Sequence, residues 1–283
     1  MKSLWRIPML LLAVAVVACS SDEVTPPANG SGKLHLATSV SGEVSEVIAR
    51  AQSSLPSELL PSEDQLTLRI TGHFTDKTGT TAFDKSWATL ADFRLENPDF
   101  EAGDYDTAAQ QYSNSYTAAL AYGNPSEEGT AKAAFVGESA PYTIYAGNSA
   151  HNQVPVTVRM ANACFTLAVG EWLLNYYTDV ELTIHTATND FTFRPTSTAA
   201  SELIFVAAGQ PLAFSGKAVK AQTGTEVVFP KKTITGQGTT ASCTKYAIAV
   251  DHGTAGGGSL RISFSDTFTE VPAEEIELNP DEN

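Results

Sequence analysis

The sequence predicts an all-β protein with two tandem β-sandwich domains, which follow a lipoprotein signal and a flexible tether. Short segments of alternating apolar and polar residues recur at spacings of roughly 8–12 residues, separated by glycine and proline. No long amphipathic helical pattern follows the N-terminal segment. The alternation also changes phase near the middle of the chain, and this change divides the chain into two halves.

Composition indicates a folded, acidic protein. Hydrophobic residues make up 42% of the chain and charged residues 17%, which is typical of a protein with a buried core. The formal net charge is −15, and it becomes −17 when Lys2 and Arg6 leave with the signal. Such a surface repels nucleic acid and anionic lipid headgroups, so we exclude both as partners.

Residues 1–18 have the pattern of a lipoprotein signal peptide. Lys2 and Arg6 precede an apolar run over residues 7–18 that is too short to span a bilayer. Cys19 directly follows small residues, as the acylated cysteine of bacterial lipoproteins does. We therefore expect Cys19 to be the lipid attachment site that holds the mature protein on a membrane without a transmembrane helix.

Residues 19–33 are predicted to form the lipidated tether, because proline, glycine and small polar residues are too dense there to pack. The N-terminal β-sandwich then covers residues 34–160. Its clearest strand patterns lie at 66–74, 116–122 and 135–138, while residues 46–51 are predicted to form a helical turn within an insertion.

The segment Val154–Val169 is the predicted joint between the domains. Apolar residues alternate in one phase up to Met160 and in the other from Ala163. A change of phase turns the buried face over, which favours a chain that leaves one core and enters another. The C-terminal β-sandwich is assigned to residues 161–283, with a hairpin turn at 188–190 and an acidic, solvated tail from Glu274.

The chain resembles a family of uncharacterised Bacteroidetes surface lipoproteins, domain of unknown function 4493, which is similar in style to fimbrillin-like proteins. The resemblance covers essentially the whole mature chain and rests on the acidic residues after Cys19 and on the segments 32–36, 100–105, 135–138 and 156–163. The Ala-Gly-Asp-Tyr element at 102–105 is similar to a turn in transthyretin-like sandwiches, with the tyrosine packed inward. The family implies Ig-like or transthyretin-like sandwiches and lipid-anchored display on the outer membrane, facing the cell surface or the periplasm.

No catalytic, metal-binding or cofactor-binding residue is predicted. The five histidines, His35, His73, His151, His185 and His252, show no ligand spacing, and no Ser/His/Asp arrangement is evident. The acidic cluster Glu96, Asp99, Glu101, Asp104 and Asp106 is interpreted as solvated turn carboxylates in preference to a calcium site. The glycine-rich run 253–258 precedes a strand, which is typical of a hairpin loop and not of a phosphate cradle.

Two further features leave alternatives open. Cys164 and Cys243 fit two buried strand residues or a disulfide. The tyrosines and tryptophan at 142, 145, 172, 176 and 177 fit core positions or a platform that stacks on sugar rings.

The functional prediction is a lipid-anchored cell-surface protein with a structural or adhesive, fimbrillin-like role, acting by contact and without catalysis. The alternative is a surface glycan-binding lipoprotein. In the adhesive case, strand addition to an open sheet edge provides a physical route to a protein partner or a filament.

Overall fold

The computed structural model describes residues 30–46, 51–76, 79–103, 105–106, 111–112, 114–147, 150–235, 238–252, 259–264, 267–272 and 274–275. Its strands are β1 (Ser31–Lys33), β2 (His35–Val40), β3 (Glu43–Glu46), β4 (Ala51–Ser54), β5 (Thr67–Asp76), β6 (Gly79–Trp87), β7 (Asp99–Glu101), β8 (Tyr105–Asp106), β9 (Gln111–Tyr112), β10 (Asn114–Tyr122), β11 (Phe135–Glu138), β12 (Gln153–Met160), β13 (Ala163–Val169), β14 (Tyr177–His185), β15 (Asp190–Phe193), β16 (Ile204–Val206), β17 (Ala213–Lys220), β18 (Glu226–Thr233), β19 (Thr244–His252), β20 (Ser259–Phe264), β21 (Thr267–Pro272) and β22 (Glu274–Glu275). The helices are α1 (Leu90–Glu96) and α2 (Glu171–Tyr176), with 3₁₀ turns at Ser57–Leu59 and Glu63–Gln65. The predicted all-β class is confirmed.

The first half is organised by a six-stranded sheet in the order β2-β12-β11-β10-β5-β6. Neighbouring strands are antiparallel except β12 and β2, which run parallel. Along β12 every second side chain is buried, from Val154 to Met160, as the period-two pattern predicts. The buried side chains of this sheet share one core with Phe93 of α1 and Phe100 of β7.

The second half is a sandwich of two sheets around a second core. One sheet has the order β15-β14-β17-β18-β22, and the other the order β16-β13-β19-β20-β21. Ile184 and Phe214 from the first of these sheets meet Phe165 and Ile248 from the second. All four are at most 1% exposed, so the hydrophobic effect holds the sheets face to face.

The predicted change of phase falls where the chain passes from β12 to β13. Met160 is part of the first core, whereas Phe165 is part of the second. Cys164, on the opposite face of β13, packs with the first core, as does Phe205 of β16. These two strands therefore form a wall between the cores, and the domain boundary at 160/161 stays a proposal.

The two halves are also joined by a strand pairing that the sequence pattern does not reveal. Strand β3 pairs in parallel with β19, matching Thr244 with Ser45. The predicted helical turn at 46–51 is wrong at both ends, because Glu46 ends β3 and Ala51 begins β4 of a hairpin. Residues 47–50 lie outside the described residues.

Three local differences from the predicted elements have physical causes. The end of the tether pairs as β1 with β7, where Gly32 is required because a Cβ would lie 2.3 Å from the Tyr145 carbonyl oxygen. Helix α1 begins at a capping box in which the Thr89 hydroxyl accepts from the Asp92 N–H at 3.0 Å. The start of the predicted solvated tail forms β22, which pairs with Val227 and Val228 of β18.

Candidate functional site

Among the described residues, the exposed large aromatic side chains lie on α2. Trp172 and Tyr176 are one helical turn apart, and their rings stack with centroids 4.2 Å apart and an interplanar angle of 9°. Each residue is 38% exposed. We call this pair the aromatic patch.

The helix that carries the aromatic patch is fixed from both ends. Leu173 is 1% exposed and Tyr177, which follows the helix, is 3% exposed and packs edge-on against Phe229 at 5.7 Å. At the start, Gly170 approaches Asp251 so closely that an added Cβ would lie 2.4 Å from its Oδ1 and would displace that side chain. The sequence left core positions and a stacking platform open for the aromatic residues at 172, 176 and 177; two of them form the patch and Tyr177 belongs to the core.

Polar side chains border the aromatic patch. Glu171 and Asn175 are exposed and occupy the helical row next to it. A planar ring beside a carboxylate and an amide is the combination that recognises a sugar, because the ring covers C–H groups while the polar groups bind hydroxyls.

The two tyrosines considered in the first half of the chain, Tyr142 and Tyr145, lie apart from the aromatic patch. Tyr142 is half-buried and stacks on Tyr116 with ring centroids 5.9 Å apart. The ring of Tyr145 lies 5.7 Å from that of His151.

The outer face of the six-stranded sheet is a second surface. A shallow depression of about 390 Å³ lies over β5, β6 and β10, lined by Thr67, Leu68, Arg69, Ser86, Trp87, Ala88, Ala119 and Ala121. Small side chains form its floor, and Val136, 47% exposed, lies opposite Ala121 on the neighbouring strand. Around the depression this face is smooth, and beside it Arg69 and Asp84 form an ion pair at 2.6 Å.

The edge of the same sheet is formed by β2. Its six residues, from His35 to Val40, include no Asp, Glu, Lys, Arg or Pro. The other edge strand, β6, carries Asp84 and Lys85. Natural sheets commonly protect their edges with charge or proline, and β2 itself carries neither, although the Thr38 hydroxyl donates to the Glu63 carboxylate at 2.6 Å.

A third surface lies at the junction of the two halves, around Glu128. Its Oε2 accepts from the Thr186 hydroxyl at 2.6 Å and from the Thr188 hydroxyl and the Asn189 amide at 2.9 Å each. Its Oε1 accepts from the side chain of Gln210. Burial raises the pKa of the Glu128 carboxyl, but these hydrogen bonds outweigh it and hold the pKa below its ordinary value.

A row of three polar side chains crosses the outer face of the five-stranded sheet. His185 Nδ1 lies 2.5 Å from Asp190 Oδ1, and His185 Nε2 lies 2.7 Å from Ser215 Oγ. Sequence reasoning missed this Ser/His/Asp arrangement because its members come from β14, β15 and β17. The hairpin prediction placed His185 near Asp190, but no local pattern indicated Ser215.

The remaining sequence candidates are separate from these surfaces. The Glu96 carboxylate forms an ion pair with Lys85 and accepts a hydrogen bond from the Trp87 ring N–H at 2.6 Å. Asp99 forms an ion pair with Lys33 at 3.0 Å. Cys19, residue 104, residues 253–258 and the side chains of His73, Tyr105, Asp106 and His252 lie outside the described residues. Within the described ranges, His, Cys, Asp and Glu side chains form no group of three suited to a metal ion.

The two cysteines of the folded region are free thiols. Cys164 is buried, and its burial raises the pKa of the thiol to about 12. Cys243 is half-buried, and its thiol lies 3.2 Å from the Glu43 carbonyl oxygen. The structure therefore favours the reading as two separate thiols.

These features define the class of the molecule: an all-β sandwich protein whose described surface offers an aromatic patch, a smooth sheet face and a bare sheet edge. The chain belongs to the family described as a domain of unknown function, DUF4493, which matches residues 30–280. The resemblance stated from the sequence is thus confirmed. None of the described helices is long and apolar enough to cross a membrane.

Solved structures with a similar course of the chain come from Bacteroides species. A candidate cell adhesion protein from Bacteroides eggerthii has 11% identity and a TM-score of 0.40, covering 86% of this chain and 97% of its own. A candidate adhesin from Bacteroides ovatus has 12% identity and a TM-score of 0.38, with coverages of 85% and 95%. Candidate polysaccharide binding proteins from Bacteroides thetaiotaomicron have 8% identity and a TM-score of 0.33, with coverages of 87% and 99%. A comparison with curated proteins found no match.

Proposed function

We propose that this protein is a lipid-anchored, outer-membrane protein of the cell surface with a structural or adhesive role, acting by contact and without catalysis. The observation that carries the proposal is the bare edge strand β2, which follows the lipidated tether after a few residues. An unprotected edge can accept a further strand from a partner, because backbone hydrogen bonds need no particular side chains. The acylation pattern at Cys19 supports the location.

The location is tested by proteinase treatment of intact cells that express the wild type or Cys19→Ala. We expect the wild type to be cleaved on intact cells and the variant to be released or mislocalised. Protection of the wild type until the outer membrane is broken would replace the adhesive role by a periplasmic structural one.

The contact role is tested with a matched pair of lysine substitutions. Ser39→Lys puts a charge on the edge strand, and Thr157→Lys puts the same charge on the neighbouring interior strand, where the two hydroxyls lie 3.3 Å apart. We expect Ser39→Lys alone to lower cell adhesion or self-association. Equal effects of both variants would contradict a role of the edge.

The second candidate function is glycan binding, which the aromatic patch favours. Glycan arrays with the wild type should give hits that Trp172→Ala and Tyr176→Ala reduce at least about fivefold, since loss of a stacked ring costs more than about 1 kcal/mol in a binding site. Leu95→Ala is the control, because Leu95 is 88% exposed and lies on α1. Hits that survive both aromatic substitutions would exclude the patch as the sugar site.

A further inference from the structure

The row Asp190, His185 and Ser215 is positioned by the strand register. His185 lies directly opposite Asp190 on β15, while Ser215 on β17 lies opposite Thr183, one position along the same face. Both hydrogen bonds of the imidazole are therefore made by side chains of adjacent strands. The His185 side chain is 12% exposed, and Ser215 is half-buried.

Hydrogen-bond chemistry determines the roles within the row. An ionised aspartate only accepts hydrogen bonds, so the contact with Asp190 places the imidazole proton on Nδ1. In the neutral ring Nε2 then carries a lone pair, and the Ser215 hydroxyl donates to it at 2.7 Å. This is the order of donors and acceptors that turns a serine into a nucleophile through an adjacent base.

We propose that Ser215 is a nucleophilic modification site that accepts an acyl group from an ester with a good leaving group. The Ser215 oxygen bonds to the ester carbonyl carbon while its proton passes to Nε2 of His185. The bond from that carbon to the leaving oxygen then breaks, and the imidazolium returns the proton to the departing alcohol. The products are an acylated Ser215 and a free alcohol, with no change of oxidation state.

The surrounding face is also polar. Thr183 lies opposite Ser215 on the neighbouring strand, and its hydroxyl is 3.1 Å from that of Thr192, so hydroxyl groups continue the polar row on this face. Lys217 follows two residues after Ser215 on the same face and forms an ion pair with Glu181 at 3.4 Å. A single acylation needs no turnover, and the inference does not rest on the adhesive role.

The test uses a fluorophosphonate probe on the folded protein, followed by peptide mass spectrometry. Attack of Ser215 forms an oxygen–phosphorus bond and releases fluoride, so the probe carries its own leaving group. Ser263 is the internal control, because its hydroxyl contacts only the Ala249 carbonyl at 3.4 Å among the hydrogen bonds described for it. We expect Ser215 to be labelled about 100-fold faster than Ser263, the lower range of general-base catalysis.

Variants separate activation from simple exposure. Ser215→Ala should remove the label, and His185→Gln, which keeps a polar side chain but no base, should reduce labelling of Ser215 to the rate of Ser263. Asp190→Asn should lower the rate at which Ser215 is labelled without changing the far-UV circular dichroism spectrum. The control Leu95→Ala should leave the labelling rate unchanged. Labelling of Ser215 at the rate of Ser263, or labelling that His185→Gln leaves unaltered in a folded protein, overturns the proposal.

Discussion

The outer faces of the six-stranded and five-stranded sheets differ, although the inner faces of both sheets follow the same rule. In both sheets the alternation buries one side of each strand, as with Ile70 on β5 and Ile184 on β14, each 0% exposed. The outer face of the six-stranded sheet carries small side chains around a shallow depression, which the ion pair between Arg69 and Asp84 borders. The outer face of the five-stranded sheet instead carries linked polar groups, in which Glu181 binds both Arg194 and Lys217.

This difference shows that core packing constrains one side of a strand and leaves the other available for chemistry. The inner positions must be apolar in either sheet, because burial is their main source of stability. The outer positions can be smooth, which suits contact over an area, or networked, which suits reactions at a point. Substitutions in matched pairs test this contrast between the two outer faces.

The largest expected effect concerns the inner faces. Ile70→Ala and Ile184→Ala should each lower the free energy of unfolding by about 2–5 kcal/mol, because each leaves a cavity in a closed core. Denaturant unfolding followed by far-UV circular dichroism measures both. If one substitution shifts only part of the transition, the halves unfold separately, whereas a single shifted transition indicates that the wall of β13 and β16 couples them.

A smaller effect is expected at the junction of the halves. Glu128→Gln should lower the free energy of unfolding by about 1–3 kcal/mol at neutral pH, toward the lower figure because the carboxylate is partly exposed. The folded-state pKa of Glu128 is lowered, so its contribution is complete above the ordinary value of 4.5 and is lost as pH falls through the folded-state pKa.

The difference between wild type and Glu128→Gln should therefore narrow on acidification below that value. Unfolding curves at a series of pH values check the sign. A difference that widens toward low pH contradicts the role of the ionised carboxylate, and Glu58→Gln, at an exposed 3₁₀ turn, is the control.

The smallest effect compares the outer faces directly. Thr192→Ala should lower the free energy of unfolding by about 0.2–1 kcal/mol, because it removes the cross-strand pair with Thr183. Ala119→Ser, on the floor of the shallow depression, should change stability by less than about 0.5 kcal/mol. Thermal unfolding of the two variants measures this, and a larger loss for Ala119→Ser would mean that the smooth face is packed against something.

Much of the fold could be predicted because its strands have a clear period of two. The turn at 188–190 between β14 and β15 and the inversion between Met160 and Ala163 are local patterns, and the structure has both. Helix α1 was missed, although Thr89 and Asp92 carry the sequence signature of a capping box. Helix α1 has seven residues, which are too few to distinguish a helical hydrophobic period from the alternation of a short strand.

Local patterns in the sequence were enough to predict the all-β class, the family and which side of most strands is buried, because each depends on residues within a few positions of one another. Three contacts became visible in the folded molecule alone: Ser45 pairs with Thr244, Glu128 meets the hairpin of the second half, and Ser215 lies 2.7 Å from His185. The reason is that such contacts depend on strand order and register. Both are set by the packing of the whole core, and local periodicity carries no record of them.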